Sequence, residues 1–225
     1  MPKITTPQRA LMQRLFLVLF AILVTGFAWA GTVLDALAAQ ERKDYALALK
    51  IVKPSAINGE AWAQNWLAEA YDQGQGVVRD YAEAAKWYRL AAEQGVASAQ
   101  YNLGVMYSTG QLLVKQDYYG IVASVNVQRT PAAQGYAEAA KWYRLAAEQG
   151  VALAQYNLGV MYTNGEGVMQ DYVKAHSWFN LSSVNGNPAA RNGRDALAKQ
   201  MTPQQIADAQ RLAQDCQARQ LKGCD

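Results

Sequence analysis

Apolar and small residues recur at Tyr81, Ala84, Ala85, Tyr88, Ala91 and Ala92, a spacing of 3, 4, 7 and 11 that lines them up on one stripe of a helix. Asp80 stands where its carboxylate can cap the first turn, and Gly95 where the chain can leave the helix. A second amphipathic stretch over 97–109 turns Leu103, Met106 and Tyr107 to a buried side, carries Gly104 in its middle and is closed by Gly110. A glycine inside a helix costs up to about 1 kcal/mol against alanine, so Gly104 predicts the close approach of a neighbouring helix. Strand patterns are poor, because the apolar residues are mainly Ala, Tyr and Leu rather than Val and Ile.

This pair of helices is duplicated. The 27 residues Tyr81–Tyr107 are written again as Tyr136–Tyr162, with Ser98 replaced by Leu153 as the one change. These copies are 55 residues apart, whereas Tyr136 and Tyr172 are 36 apart. Leu113 accounts for one of the additional residues and the insert Tyr118–Gly135, "YYGIVASVNVQRTPAAQG", for eighteen. The insert is rich in β-branched residues and poor in charge, which reads as a loop or a decayed helix, either degenerate or functional. Upstream, 61–80 matches the second helix and its loop in outline, and 44–59 matches the first helix weakly. No single pair has core enough to stand alone, so the units must stack. The fold class predicted is all-α: an α-solenoid of stacked antiparallel helix pairs with a C-terminal capping helix. Thr202 as N-cap, Pro203 at the first helical position and Gln205 three residues after the cap start that last helix, whose polar face suits the end of an array.

The N-terminus differs in kind. Lys3, Arg9 and Arg14 precede the apolar run Leu15–Val24, and Ala28-Trp29-Ala30 follows as a small-x-small cleavage site, the order of a secretory signal peptide. The alternative is an uncleaved anchor, but the run falls short of the roughly 20 residues that span a bilayer. Cleavage would leave a chain starting at Gly31, periplasmic or secreted and not inserted in a membrane. The expected organisation is therefore signal peptide 1–30, N-terminal helices and a degenerate repeat 31–59, repeats 60–187 with the insert at 118–135, and capping helices 188–225. Of 21 Lys and Arg in the 225 residues, three leave with the leader, so 18 face 18 acidic side chains. No basic tract remains, which argues against nucleic acid or an anionic membrane as partner.

The residues of 154–179, "AQYNLGVMYTNGEGVMQDYVKAHSWF", resemble the Sel-like repeats, relatives of the tetratricopeptide repeats. The pattern falls on Ala154, Leu158, Gly159, Tyr162, Gly165, Gly167, Asp171, Tyr172, Ala175, Trp178 and Phe179, and the resemblance covers about 44–200. Its phasing makes "ASAQYNLGVMYST" helix A and "YAEAAKWYRLAAEQ" helix B. One position departs from it: Leu112 stands where the second loop glycine belongs, so the turn before the insert is expected to be distorted. The resemblance implies a non-catalytic, extracytoplasmic scaffold that holds a protein or peptide segment on the concave helix A wall. Carried over from tetratricopeptide grooves, that wall would present Trp62, Asn65, Glu69 and Asp72, then Ser98, Tyr101, Asn102 and Val105, then Leu153, Tyr156, Asn157 and Val160. The alternative for several of these, Asn102 and Asn157 above all, is packing between repeats. Truncating Tyr101 and Tyr156 together is expected to leave the melting temperature nearly unchanged.

No catalytic, cofactor or metal site is nominated. The one histidine, His176, takes the position of Ala140 in the preceding copy and reads as a packing or surface residue. Glu83, Glu138 and Glu166 are spread along the array rather than paired, and contacts such as Glu83 with Lys86 and Arg89 with Glu93 would support helices. The "GQG" and "GEG" loops join helix to helix, so they are not phosphate loops. A different class of function, a secreted hydrolase acting on peptidoglycan-like or β-lactam substrates, is implied by cysteine-rich members of the family, which carry a disulfide in each repeat; this chain does not. Trp87 and Trp142 are each expected to fill an inter-helix site. Cys216 and Cys224, the only cysteines, are expected to pair. Eight positions along one helix span roughly 12 Å, too far for a disulfide, so the helix must break between them at about 217–222.

Overall fold

A computed structural model of the protein describes residues 31–111 and 131–224. The proposed leader, Leu112 and residues 118–130 of the insert lie outside the described residues. Those described form ten helices and no strand. They are α1 (31–41), α2 (Tyr45–Ile57), α3 (Ala61–Gln73), α4 (Tyr81–Glu93), α5 (Ala97–Ser108), α6 (Pro131–Ala147), α7 (Ala152–Asn164), α8 (Tyr172–Val184), α9 (Pro188–Ala198) and α10 (Pro203–Ala218). From α2 to α9 each helix packs on the next, and α10 folds back onto α8. That is an α-solenoid in which α3, α5 and α7 are the A helices and α4, α6 and α8 the B helices.

Aspartates start α2, α4 and α8. Asp44, Asp80 and Asp171 each accept a hydrogen bond from backbone N–H groups of the first turn, at 3.1 Å from Leu47, 2.9 Å from Ala82 and 3.0 Å from Lys174. In α6 the corresponding position is Gly135, which has no side chain to cap with. The helix runs back to Pro131, whose fixed φ and missing N–H suit a first helical residue. The last five residues of the insert are thus a helical extension of α6 and not a loop.

Alanine and glycine make room for rings along the core. Leu67, Leu103 and Leu158 are buried at equivalent places on the A helices, and Tyr88, Tyr143, Trp178 and Phe179 are buried on the B helices. Burying such a side chain contributes about 1.5–3 kcal/mol. A Cβ on Gly104 would lie 2.7 Å from the Tyr143 ring, and one on Gly159 would lie 2.6 Å from the Phe179 ring. The close approach expected at Gly104 is that of a tyrosine ring from α6. Trp87 and Trp142 do sit between helices but are only half-buried: Trp87 packs against the cluster of α1–α3 and that of α3–α5, and Trp142 against the latter. The next residue of each helix, Tyr88 or Tyr143, points at the facing A helix and takes the interior place. The equivalent Trp178 is buried because α9 and α10 cover α8.

The loop glycines have separate tasks. Gly165 ends α7 in the left-handed region (φ 75°), and Gly167 (φ 67°) brings its Cα so near the start of helix B that a Cβ would sit 2.3 Å from the Tyr136 carbonyl carbon. Gly76 stands likewise against Tyr45. No side chain fits this geometry.

Candidate functional site

The helix A wall is built from three helices with no basic residue in any of them; their charges are Glu69 and Asp72 on α3. The B helices α4, α6 and α8 carry the basic side chains Lys86, Arg89, Lys141, Arg144 and Lys174. Lys86 pairs with Glu83 as expected, whereas Arg89 donates to the Tyr107 hydroxyl rather than to Glu93, and Arg144 donates to the equivalent Tyr162 hydroxyl at 3.2 Å.

The proposed wall residues fall into two groups. On α3, the Trp62 indole donates to Glu60 at 2.7 Å, and the Asn65 amide donates to Glu69 at 2.9 Å and accepts from the Ser98 hydroxyl of the next repeat at 3.3 Å. Burial raises the Glu69 carboxyl above the usual range; the Asn65 hydrogen bond opposes this and the Asp72 charge adds to it. Burial also raises Asp72, against the hydrogen bond from Tyr88 and the nearby Arg79 charge. Further along, Tyr101, Val105 and Val160 come together around an open cleft of about 390 Å³ between α5, the start of α6 and α7. Tyr156 and Val160 line a second cleft of about 280 Å³ that continues to Leu197 on α9. Trp62 and the α3 acids line neither of these clefts.

Both tyrosines also belong to the packing. The Tyr101 ring lies 5.9 Å from that of Tyr143, and the Tyr156 ring 5.6 Å from that of Phe179. Each is half-buried, so truncating both takes stability from the fold, contrary to the expectation of an unchanged melting temperature. The asparagines are structural as well: Asn102 hydrogen-bonds Tyr88, and Asn157 hydrogen-bonds Tyr101 and Tyr143. Burial raises the hydroxyl pKa of Tyr101 and Tyr143, so both stay protonated as donors.

Sequence reasoning passed over a polar ladder beneath this wall. Gln64, Gln100 and Gln155 are buried, and each side-chain amide donates to a carbonyl eight residues earlier, at Ala56, Ala92 and Ala147. Their side-chain carbonyls accept from Gln94, Gln149 and Asn185 of the following turn at 2.7–2.9 Å. An unpaired buried amide costs about 1–3 kcal/mol, so each rung ties one repeat to the next. The recurring Ala-x-Ala-Gln at 61–64, 97–100 and 152–155 was the visible signal. His176 is buried, with Nδ1 lacking a hydrogen bond; burial lowers its pKa, Arg194 lowers it further and Asp195 opposes. Among the described residues no group of three or more His, Cys, Asp or Glu is placed to hold a metal.

Stacked A and B helices, glycine-paired loops and a distinct terminal cap define a repeat scaffold. The Sel1 repeat model matches residues 63–96, 97–119, 132–151 and 152–187, half of the chain, and the protein belongs to the Sel1 repeat family. It is similar to a Sel1 repeat protein from Oxalobacter formigenes, with 32% identity over 66% of this chain and 97% of that one, at a TM-score of 0.51. It is also similar to c5321, a protective antigen of uropathogenic Escherichia coli strains displaying an SLR fold, with 29% identity over 79% of this chain and 42% of that one, at a TM-score of 0.44. No curated protein matches the chain. Sel1 repeats are in general scaffolds for protein–protein interaction.

Proposed function

We propose that the protein is a non-catalytic, extracytoplasmic scaffold that captures an extended protein segment on its helix A wall. The observation that carries this reading is the adjacency of the two clefts: Val160 lines both, and with it the half-buried Tyr101, Val105 and Tyr156 line the A side between α5 and α9. Rigid aromatic side chains offer large contact area at low entropic cost, which is why they recur in binding hot spots. The carboxylates Glu69 and Asp72 extend the wall at its N-terminal end as an acidic patch. Export is supported by the leader-like 1–30 and by Cys216 and Cys224, which stand as a disulfide pair with Cα atoms 5.1 Å apart.

Photo-crosslinking tests this reading without unfolding the core. A benzophenone amino acid placed at Val105 or Val160 is expected to give a discrete crosslinked partner in the envelope of the native cell. The same group at Lys86 or Lys141, exposed on the B helices, should not. Crosslinks from the B helix sites alone would place the binding surface on the other side of the solenoid.

A further inference from the structure

We propose that the cleft between α5, α6 and α7 is a subsite for a lysine or arginine side chain of an extended peptide, and that Glu166 reads its charge. This rests on the reading of the helix A wall as a binding surface and specifies what that surface selects.

Glu166 is the one charged side chain among the described residues that line the cleft. Its place is set by the backbone: it stands between Gly165 and Gly167, both left-handed, and Gly167 is pressed onto the Tyr136 backbone at the cleft's edge. Asn164 donates to one carboxylate oxygen at 3.2 Å, which orients the group and leaves the other oxygen available to a ligand. The first glycine-paired loop carries Gln75 at the equivalent position, so the charge belongs to this cleft and is not a general feature of the repeat. Around it, the methyl groups of Val105 and Val160 and the Tyr101 ring offer apolar surface for the stem of a long cationic side chain. No A helix carries a cation to compete for the carboxylate, and the wall's other charges, Glu69 and Asp72, have the same sign. Matched charges of this kind set specificity and suppress wrong partners.

A displayed library of random heptapeptides, panned on the full mature chain, supplies the probe. Peptides selected on the wild type should be enriched in Lys or Arg at one position, and that enrichment should vanish on Glu166→Gln, a variant that leaves the core untouched. By fluorescence anisotropy, a selected peptide should bind at least about tenfold more tightly than its Lys→Gln form. The ratio should fall below about threefold on Glu166→Gln and shrink with added salt on the wild type. Val105→Arg separates the two levels of the reading. Peptides that lose affinity on Val105→Arg but show no preference for a basic residue would overturn the role of Glu166 while keeping the wall. Peptides indifferent to Val105→Arg, or a library that yields no binder, would overturn the wall as well. A basic preference that persists on Glu166→Gln would overturn the assignment to this carboxylate.

Discussion

Glu69 and Asp72 stand one turn apart on α3, and burial raises the pKa of both carboxyl groups. A carboxyl whose pKa is higher folded than unfolded favours the native state most below its unfolded value, and that contribution is lost as pH rises through the folded value. Glu69 therefore works against stability at neutral pH, and Glu69→Gln, which removes the charge and keeps the size, is expected to be more stable than the wild type at pH 7. At about pH 3, below the ordinary Glu value of about 4.3, the wild-type carboxyl is neutral in both states and the two proteins should unfold at nearly the same denaturant concentration. His176 acts with the opposite sign: its lowered pKa favours the native state above the ordinary histidine range and is lost on acidification. It does so equally in both proteins, so their difference reports Glu69 together with its coupling to Asp72. Paired urea titrations at the two pH values check this, and a variant less stable at pH 7 would show that the charge is satisfied in the free protein. A carboxylate held against its preference is relieved by an incoming cation, so the same substitution should weaken binding of a basic segment at that end of the wall.

Among the elements, α8 is held from two sides. The Phe179 ring lies between two glycines: a Cβ on Gly159 of α7 would meet it at 2.6 Å and one on Gly193 of α9 at 3.2 Å. In α6, Tyr143 meets Gly104 on one side only, and its hydroxyl is held by Ser108 at 3.0 Å. Overpacking costs about 1–3 kcal/mol, and the better helix propensity of alanine offsets up to about 1 kcal/mol of it. Gly159→Ala is thus expected to destabilise by roughly 1 kcal/mol net, and Gly104→Ala by less, because the Tyr143 ring is met by one glycine whereas Phe179 is held between two. Thermal unfolding of the two variants checks the order, and a higher melting temperature for Gly159→Ala would mean that the ring is free to move. That a helix-interior glycine marks a close approach was legible from the sequence, as were the aspartate caps and the 36-residue period. Which ring fills the gap was not. Helical spacing puts Trp87 and Tyr88 at adjacent angles, and only the position of the neighbouring helix decides which is interior. Glu166 was overlooked for a similar reason: nothing local distinguishes a loop carboxylate facing solvent from one facing a cleft made by helices of two other segments.

At the scale of the whole molecule the solenoid is closed at its C-terminal end by a contact from far along the chain. α10 ends at Ala218, Gln220 and Leu221 take left-handed φ values of 55° and 66°, and the tail turns back as the cysteine spacing requires. The Gly223 N–H then donates to Glu148 at 3.1 Å and Leu221 reaches the turn at Gly150, so the tail is docked on the junction of α6 and α7 rather than frayed. The break in the helix could be read from an eight-residue spacing; a docking site 75 residues away leaves no local pattern. Cys216 and Cys224 are both buried, which shields the bond between them from reductants. Closing a loop of this length restricts the unfolded chain by an amount on the order of 2.5 kcal/mol. Replacing both cysteines by alanine is therefore expected to lower stability by about 2–3 kcal/mol. Stability in a repeat array is passed between neighbours, so the loss should be graded along the chain. Hydrogen exchange should quicken in α10 and the α6–α7 turn while α3 and α4 keep their protection. Two titratable thiols in native protein taken from an oxidising compartment would refute the pairing. Uniformly faster exchange would show that the array unfolds as one unit, with the tail contributing to all of it equally.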